Sequence, residues 1–510
     1  MKIRLLLGDQ LNSKHPWFDL VDPEVLYVQM ELRQETDYAP HHIQKLIGFF
    51  GAMRNFHREL EQKGHRVLYK TLDAPENQHD LVQNLQEIIE KYQAVSFAYQ
   101  TPDEYRLAEQ LKAFCNELTI PSEEVDTHHF MASREELTAY FTGKKKYVLE
   151  FFYRNMRKKF DLLMLGAQPE GGQWNFDKNN RKKWKGTPEI PVVYTPAKQE
   201  LEALYQLFQE QGVKSIGHFD PDTFSYPLSR GACLNQLDYF CEHLLVHFGD
   251  YQDAMHTEEL NLFHSRLSFG MNTKMISPLE VVDRVISYYR EHTEDVEISQ
   301  VEGFVRQIVG WREYMRGIYW TQMPHYKQKN ALENRNPLPE FYWNAKTKMN
   351  CLHHSVKNSL EHSYAHHIQR LMILGNFALL AQVDPDQVDE WFLGIYADAV
   401  EWVQLPNTRG MSQWADGGIV ATKPYVSAAS YINKMGNYCE GCTYDKKKRL
   451  GEDACPFNSL YWNFLDDKKE YFAKNNRMAM MLRLLEKIPA TELAEIKARA
   501  YKILKEPDAF

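Results

Sequence analysis

Nowhere in the 510 residues does an apolar run approach the roughly 18 that a membrane-crossing helix requires. The opening Met-Lys-Ile-Arg-Leu-Leu-Leu-Gly-Asp-Gln holds too short an apolar stretch for a secretory leader and lacks a small-residue cleavage site. It reads as a first strand, and together these absences predict a cytoplasmic monomer with no membrane attachment. Cysteine is scarce: seven residues cannot staple a chain of this length, so metal ligation or core filling is the expected use of each. No G-x-G-x-x-G or P-loop pattern follows the first strand, which removes the commonest phosphate-cradling motifs there. Internal repeats and low-complexity tracts are also missing. The net charge of −9 opposes a polyanion partner overall, yet the basic residues are segregated. Lys144–Lys146, Arg157–Lys159, Arg181–Lys185 and Lys446–Arg449 each read as a solvated face or as a phosphate-contacting patch.

What is present falls into three parts. Short apolar or β-branched runs at 2–8, 24–29, 66–72 and 94–100 alternate with helical patterns. The clearest helix spans His41 to Lys63, where Ile43, Leu46, Ile47, Phe50, Met53, Phe56 and Leu60 share a face and Gly64 is a natural stop. This alternation predicts an α/β domain with a doubly wound parallel sheet over 1–132. The Gly8-Asp9 turn and the segment Met30–Tyr38 would open at its carboxyl edge, where such sheets bind ligands. Residues 133–225 read as an interdomain connector with a basic amphipathic helix around Tyr147–Leu163 and an ordered crossing loop from Gly171 to Trp184. From 226 to 510 nearly every stretch is helical in period.

The chemistry concentrates in the third part. Cys439-Glu-Gly-Cys442 is followed, after twelve intervening residues, by Cys455-Pro456, and Cys351 is the obvious fourth ligand. By spacing alone this set suits zinc or an iron–sulfur cluster. Cys115, Cys233 and Cys241 sit in apolar helical contexts and read as core. His264-Ser-Arg-Leu-Ser268, followed by Met275-Ile-Ser-Pro278, forms a turn whose hydroxyls and amides suit an anion, with Tyr251 upstream. Farther along come a helix bearing Gln307, Trp311 and Glu313, then Tyr364-Ala-His366-His367-Ile-Gln-Arg370, then Tyr396-Ala-Asp398-Ala-Val-Glu-Trp402.

This ordered set resembles the flavin-binding domain of the photolyase/cryptochrome family, and the likeness spans essentially the whole chain. The His-His-x-x-Arg element is similar to the active-site segment of (6-4) photolyases. The four cysteines, the Trp-Asn-Phe-Asp connector and the Gly-Asp-Gln-Leu start match the bacterial iron–sulfur branch. The resemblance implies a large all-helical FAD-binding C-terminal domain, with Tyr251, His264, Ser265, Leu267 and Ser268 around the cofactor's phosphates and ribityl chain. Gln307, Arg370 and Asp398 would face the flavin, Asp398 near its N5. It implies a [4Fe–4S] cluster on Cys351, Cys439, Cys442 and Cys455. It also implies a 6,7-dimethyl-8-ribityllumazine antenna against Asp9, Met30, Glu35, Tyr38 and Phe49.

The activity implied is light-dependent repair of (6-4) pyrimidine–pyrimidone photoproducts by an electron from reduced FAD. His367 would be the proton donor with His366 beside it, because a histidine ordinarily titrates near neutrality. Trp391 and Trp343 would carry electrons from the surface, although Phe392 stands where relatives often have tyrosine. On ultraviolet-damaged DNA, Trp311 and Tyr425 would pack against flipped bases, Glu313 would face the lesion, and Arg181 and Lys447 would meet phosphates. A blue-light photoreceptor of the cryptochrome kind, with the same cofactors and no repair, is the alternative. The cysteine-bearing part also resembles the large primase subunit, which leaves the flavin-type motifs without a purpose.

Overall fold

The computed structural model describes residues 1–144, 146–197 and 201–510, so Lys145 in the first basic run lies outside the described residues. Five parallel strands form the first layer: β1 (Lys2–Leu5), β2 (Val25–Met30), β3 (Val67–Lys70), β4 (Ser96–Gln100) and β5 (Ser122–Val125), in the order β3-β2-β1-β4-β5. Ile3 pairs with Leu26 on one side and Phe97 on the other, which places β1 centrally. Strand order therefore reverses between β1 and β4, and a crevice opens beyond their carboxyl ends. The strand β5, Ser-Glu-Glu-Val, was not expected; it is a short exposed edge without an apolar face to read.

The expected first long helix is Ile43–Gln62, and all seven residues of its apolar face are buried. It joins the sheet to the helical half. An added Cβ at Gly51 would stand 2.9 Å from Leu228, so glycine is what lets the two parts approach. His42 caps this helix: its Nδ1 accepts from the Gln44 N–H (3.1 Å) while Nε2 donates to the Leu360 carbonyl (2.8 Å). That geometry demands a neutral ring, and burial lowers the His42 pKa to about 4. The unfolded chain thus takes up more protons than the folded one between pH 6.5 and 4, and stability falls as the pH drops through that window. For His42 alone the full loss is about 3 kcal/mol. Thermal unfolding from pH 7.5 to 4.5 should show this slope. His42→Asn, which keeps a capping oxygen, should flatten part of it; an unchanged slope would reject the assignment.

The stretch read as a connector is more structured than expected. It holds helices Arg134–Phe141, Leu149–Lys159 and Glu202–Glu210 and a small hairpin, Met164–Leu165 with Gln168–Pro169. Phe141, Phe152 and Tyr314 form one aromatic contact set, which packs this region into the helical core. From Arg230 onward no strand occurs among the described residues, and a second apolar core gathers around Trp391, Phe377 and Phe457. Among the described residues no helix is long and apolar enough to cross a membrane.

Candidate functional sites

The crevice at the sheet's carboxyl edge is a cavity of about 1060 Å³, mouth included. Asp9, Met30, Glu35, Tyr38 and Phe49 all line it, together with Lys45, Asp103, Glu104, Glu401 and Trp402. Arg106 organises one wall. Its Nη1 and Nη2 donate to the Glu35 carboxylate (3.1 and 2.8 Å), its Nε to Glu104 (2.8 Å), and its guanidinium lies 4.7 Å from the Tyr38 ring centroid. Burial pushes Glu104 up to about 7 and Lys45 down to about 7. At the opposite wall Lys274, from the helical half, donates to Asp9 Oδ2 (2.7 Å) and pairs with Asp103 (2.8 Å), its side chain only 1% exposed. Lys45, Glu104, Glu401 and Lys274 carried no sequence signal, because a buried charge is recognised by its partner in space.

The second site lies in the helical half. Arg370 grips Asp398 with two hydrogen bonds, Nη1 to Oδ1 (2.9 Å) and Nη2 to Oδ2 (3.2 Å). The Ser268 hydroxyl adds a bond to Oδ2 (2.7 Å). Burial alone would raise this carboxyl, but the guanidinium outweighs it and holds Asp398 below the usual range. The backbone widens into a π turn over Arg370–Gly375, a device that re-aims the side chain at its start. Beside this pair, the rings of His264 and His366 stack at 4.7 Å with 15° between planes. His366 is 2% exposed, and neither of its ring nitrogens has a protein partner.

His367 follows, its ring open to water yet set among protein atoms within electrostatic reach of Arg370 and Asp398. The expectation of a pKa near neutrality is corrected here: depth and then the Arg370 guanidinium lower it to about 4, with Asp398 pulling the other way.

The Ser265-Arg-Leu-Ser turn borders a cavity of about 330 Å³ lined by His264, Ser265, Arg266, Asn261 and Gln236. His264 Nε2, Asn261 Oδ1 and Gln236 Oε1 are buried without protein partners, a donor–acceptor set suited to a polar organic group. Leu267 is buried behind the turn. Tyr251 stands aside: its hydroxyl donates to the Thr187 carbonyl (3.3 Å) and its ring rests on Phe263. Gln307 makes only long bonds, 3.4 Å to Gln252 and to the Gly303 carbonyl.

Trp391 is fully buried, with its ring 5.1 Å from Tyr342 and 5.9 Å from Tyr396. Trp343, next in chain to Tyr342, is 40% exposed. Arg370 lies 3.8 Å over the Tyr396 ring, so the buried rings of Tyr342, Trp391 and Tyr396 lead to the Arg370–Asp398 pair. The sequence reading assigned no role to Tyr342 or Tyr396. Trp311 and Tyr425 are partly exposed, while Arg181 and Lys447 are exposed, Arg181 paired with Asp177. Glu313 departs from expectation. It is completely buried, and its carboxylate accepts from the Met131 N–H (3.3 Å), so it faces the sheet domain's last segment and no lesion pocket.

The third site holds the cysteines. Cys351, Cys439, Cys442 and Cys455 line one cavity of about 330 Å³ with Tyr438, Tyr444, Lys446 and Phe457. Cys351 is the second residue of helix Asn350–His362, and Cys455 caps helix Pro456–Asp467, where the positive helix end favours a thiolate. Burial pushes Cys455 up to about 12 and Cys439 to about 11, so only a cationic centre would hold both deprotonated. Among the described residues no three His, Cys, Asp or Glu converge closely enough for a single metal ion; the thiols ring the cavity. Cys233 and Cys241 are core residues and Cys115 is half-buried.

Against known proteins, residues 4–224 match a family described as deoxyribodipyrimidine photo-lyase-related protein. A (6-4) photolyase of Agrobacterium fabrum is 39% identical over 511 residues, 99% of each chain. Two solved structures share the fold. A bacterial class III photolyase from Agrobacterium tumefaciens gives a TM-score of 0.60 at 14% identity over 99% of this chain and 98% of that one. A cryptochrome from Synechocystis gives 0.57 at 12% identity over 97% of this chain and 93% of its own.

Proposed function

The chain belongs to the photolyase/cryptochrome family, in its (6-4) photolyase branch, and from that premise we propose that it repairs (6-4) pyrimidine–pyrimidone photoproducts in DNA under light. The observation that carries the reading is the histidine set, His264, His366 and His367, gathered beside the Arg370–Asp398 pair.

FAD, when bound and reduced, supplies a light-driven electron to the lesion and takes it back. Ser265, Ser268 and the unpartnered His264, Asn261 and Gln236 atoms are the groups to hold it. Arg370 keeps Asp398 ionised, and this carboxylate would be the acidic group to face the flavin. A ring nitrogen of His367 delivers the proton that the rearrangement needs. In the protein alone His367 is neutral at pH 7. Lesion phosphates and a reduced flavin are anionic, and negative charge nearby raises an imidazole's proton affinity. The donor is thus armed by its substrate. Trp391 and Trp343, with Tyr342 and Tyr396 between and beyond, are the residues to carry electrons inward from the surface.

The crevice at the sheet edge suits a lumazine, which when bound gathers light for the flavin. Glu35, Glu104 and Glu401 would be the groups to accept from its hydroxyl and N–H donors, and Phe49 and Trp402 would offer it flat apolar contact. Four thiols lining one cavity are the ligand set that an iron–sulfur centre uses, and we assign a [4Fe–4S] cluster there. In this division, residues 1–132 carry the antenna, 226–510 the flavin and cluster, and 133–225 join them. Arg181 and Lys447 contact DNA phosphates.

Purified protein should release FAD and a lumazine on denaturation and show cluster absorption beforehand. A defined (6-4) oligonucleotide should be restored under blue light and unchanged in the dark, as followed by chromatography. Full cofactor content without repair would move the chain to the photoreceptor reading.

A further inference from the structure

The cysteine cavity and the stacked histidines meet in one side chain, Tyr438. It is fully buried, lines the cavity and immediately precedes Cys439. Its hydroxyl accepts from Gln369 Nε2 at 2.9 Å. Gln369 in turn uses Oε1 to accept the His366 backbone N–H (3.2 Å), which fixes the start of the turn bearing His366 and His367. The same hydroxyl donates to the His256 carbonyl (3.3 Å). That bond reaches the segment leading to His264.

Two further ties hold this segment to the cysteine loop. The Met255 N–H donates to the Met435 carbonyl (3.0 Å), and the Thr257 N–H donates to Asn437 Oδ1 (2.9 Å), while Asn437 Nδ2 returns a bond to Thr257 Oγ1 (3.0 Å). Asn350 Nδ2 then joins the Tyr438 carbonyl (2.8 Å) to the helix that bears Cys351. A short loop carrying two of the four thiols thus grips both walls of the His264–His366 stack.

We propose that the cysteine-bound centre serves repair by locking this loop, and that Tyr438 is the positioning residue that passes the lock to His366 through Gln369. The inference rests on the repair and iron–sulfur readings above. A phenol hydroxyl is required because it accepts one bond and donates the other at once. Phenylalanine there would keep the ring in the cavity wall but leave the Gln369 amide without its acceptor, free to turn away from His366.

The test is Tyr438→Phe in the cofactor-loaded protein, with Gln369→Leu as a second variant. Each should keep about four irons per chain and wild-type affinity for lesion DNA, while repair per absorbed photon falls roughly tenfold, about the worth of one misaligned contact to a catalytic group. Ring-nitrogen NMR signals of labelled histidine should move for His264 and His366 and stay for His42. The double variant should be no worse than either single one, since both break the same chain of bonds. Unmoved histidine signals with wild-type repair would overturn the proposal, and so would a double variant whose loss is the product of the two. Iron lost in proportion to repair would also overturn it, reducing Tyr438 to a wall of the cluster cavity. Wild-type protein without iron fails the cofactor reading first, before either variant is made, and takes the proposal with it.

Discussion

His367→Ala should retain FAD and bind lesion DNA almost as well as the wild type, yet restore the (6-4) product roughly 10²-fold more slowly, the scale for losing a positioned proton donor. Cofactor retention is expected because its holding groups lie on other elements: the Ser265–Ser268 turn, Asn261 and Gln236. Affinity rests mainly on phosphate contacts and base stacking, which the substitution leaves in place. Asn at this position should be nearly as poor, since it bonds without shuttling a proton. Exchanging His366 should hurt less if it only orients its neighbour. The pH profile carries the sign. The donor is the imidazolium, formed in the complex from a ring whose pKa is otherwise about 4, so wild-type repair should decline as pH rises. Light-dependent restoration of a defined oligonucleotide, with dissociation constants measured alongside, checks both. Wild-type rates in His367→Ala would remove the proposed donor.

Cys351→Ala or Cys439→Ala should give a protein that loses its iron and most of its soluble yield. The four thiols join the start of helix Asn350–His362, the start of helix Pro456–Asp467 and the loop between 436 and 445. A structural metal centre contributes on the order of 10 kcal/mol, comparable with the whole net stability of a domain. Three remaining thiols in a buried apolar setting would also be an unpaired ligand set without compensating packing. Cys115→Ala, half-buried and far in sequence, should leave iron unchanged. Iron-to-protein ratio and soluble yield are the measurements. A soluble Cys351→Ala protein with its full iron would reject the ligand assignment.

The helix Ile43–Gln62 was readable residue by residue, because its seven apolar positions obey one period and its neighbours do not interrupt it. The edge strand β5 was not, since Ser-Glu-Glu-Val has no buried face. The basic amphipathic helix around Tyr147–Leu163 is there as Leu149–Lys159, while the helices at 134–141 and 202–210 sit where basic and aromatic residues blur the apolar stripe. The five residues expected to meet an antenna were reached through family resemblance, whereas the cysteine set was read from its Cys-x-x-Cys spacing, and each set does line a single cavity. Lys45, Glu104 and Lys274 were invisible. Each is a charge whose burial depends on partners from a distant part of the chain. Glu313 went wrong for a related reason: a helix pattern says which residues share a face, and packing against Met131 decided what that face meets. The depressed pKa of His367 was likewise unreadable, because depth and a neighbouring Arg370 are facts of the tertiary structure.

The Lys274 bridge to Asp9 and Asp103 crosses the seam between the sheet layer and the helical half, and its Lys274–Asp103 arm has almost no exposure. Mobile ions screen exposed charges within about 10 Å at 0.1 M salt but scarcely reach a pair sealed from solvent. Ionic strength therefore acts on two parts of this protein with very different force. On the proposed reading, a grip on a nucleic-acid backbone made by exposed groups such as Arg181 and Lys447 should weaken steeply with added salt. Under the same reading, the Lys274–Asp103 pair that joins the sheet layer to the helical half should hold while DNA affinity falls, so the geometry between the two halves should change little with ionic strength.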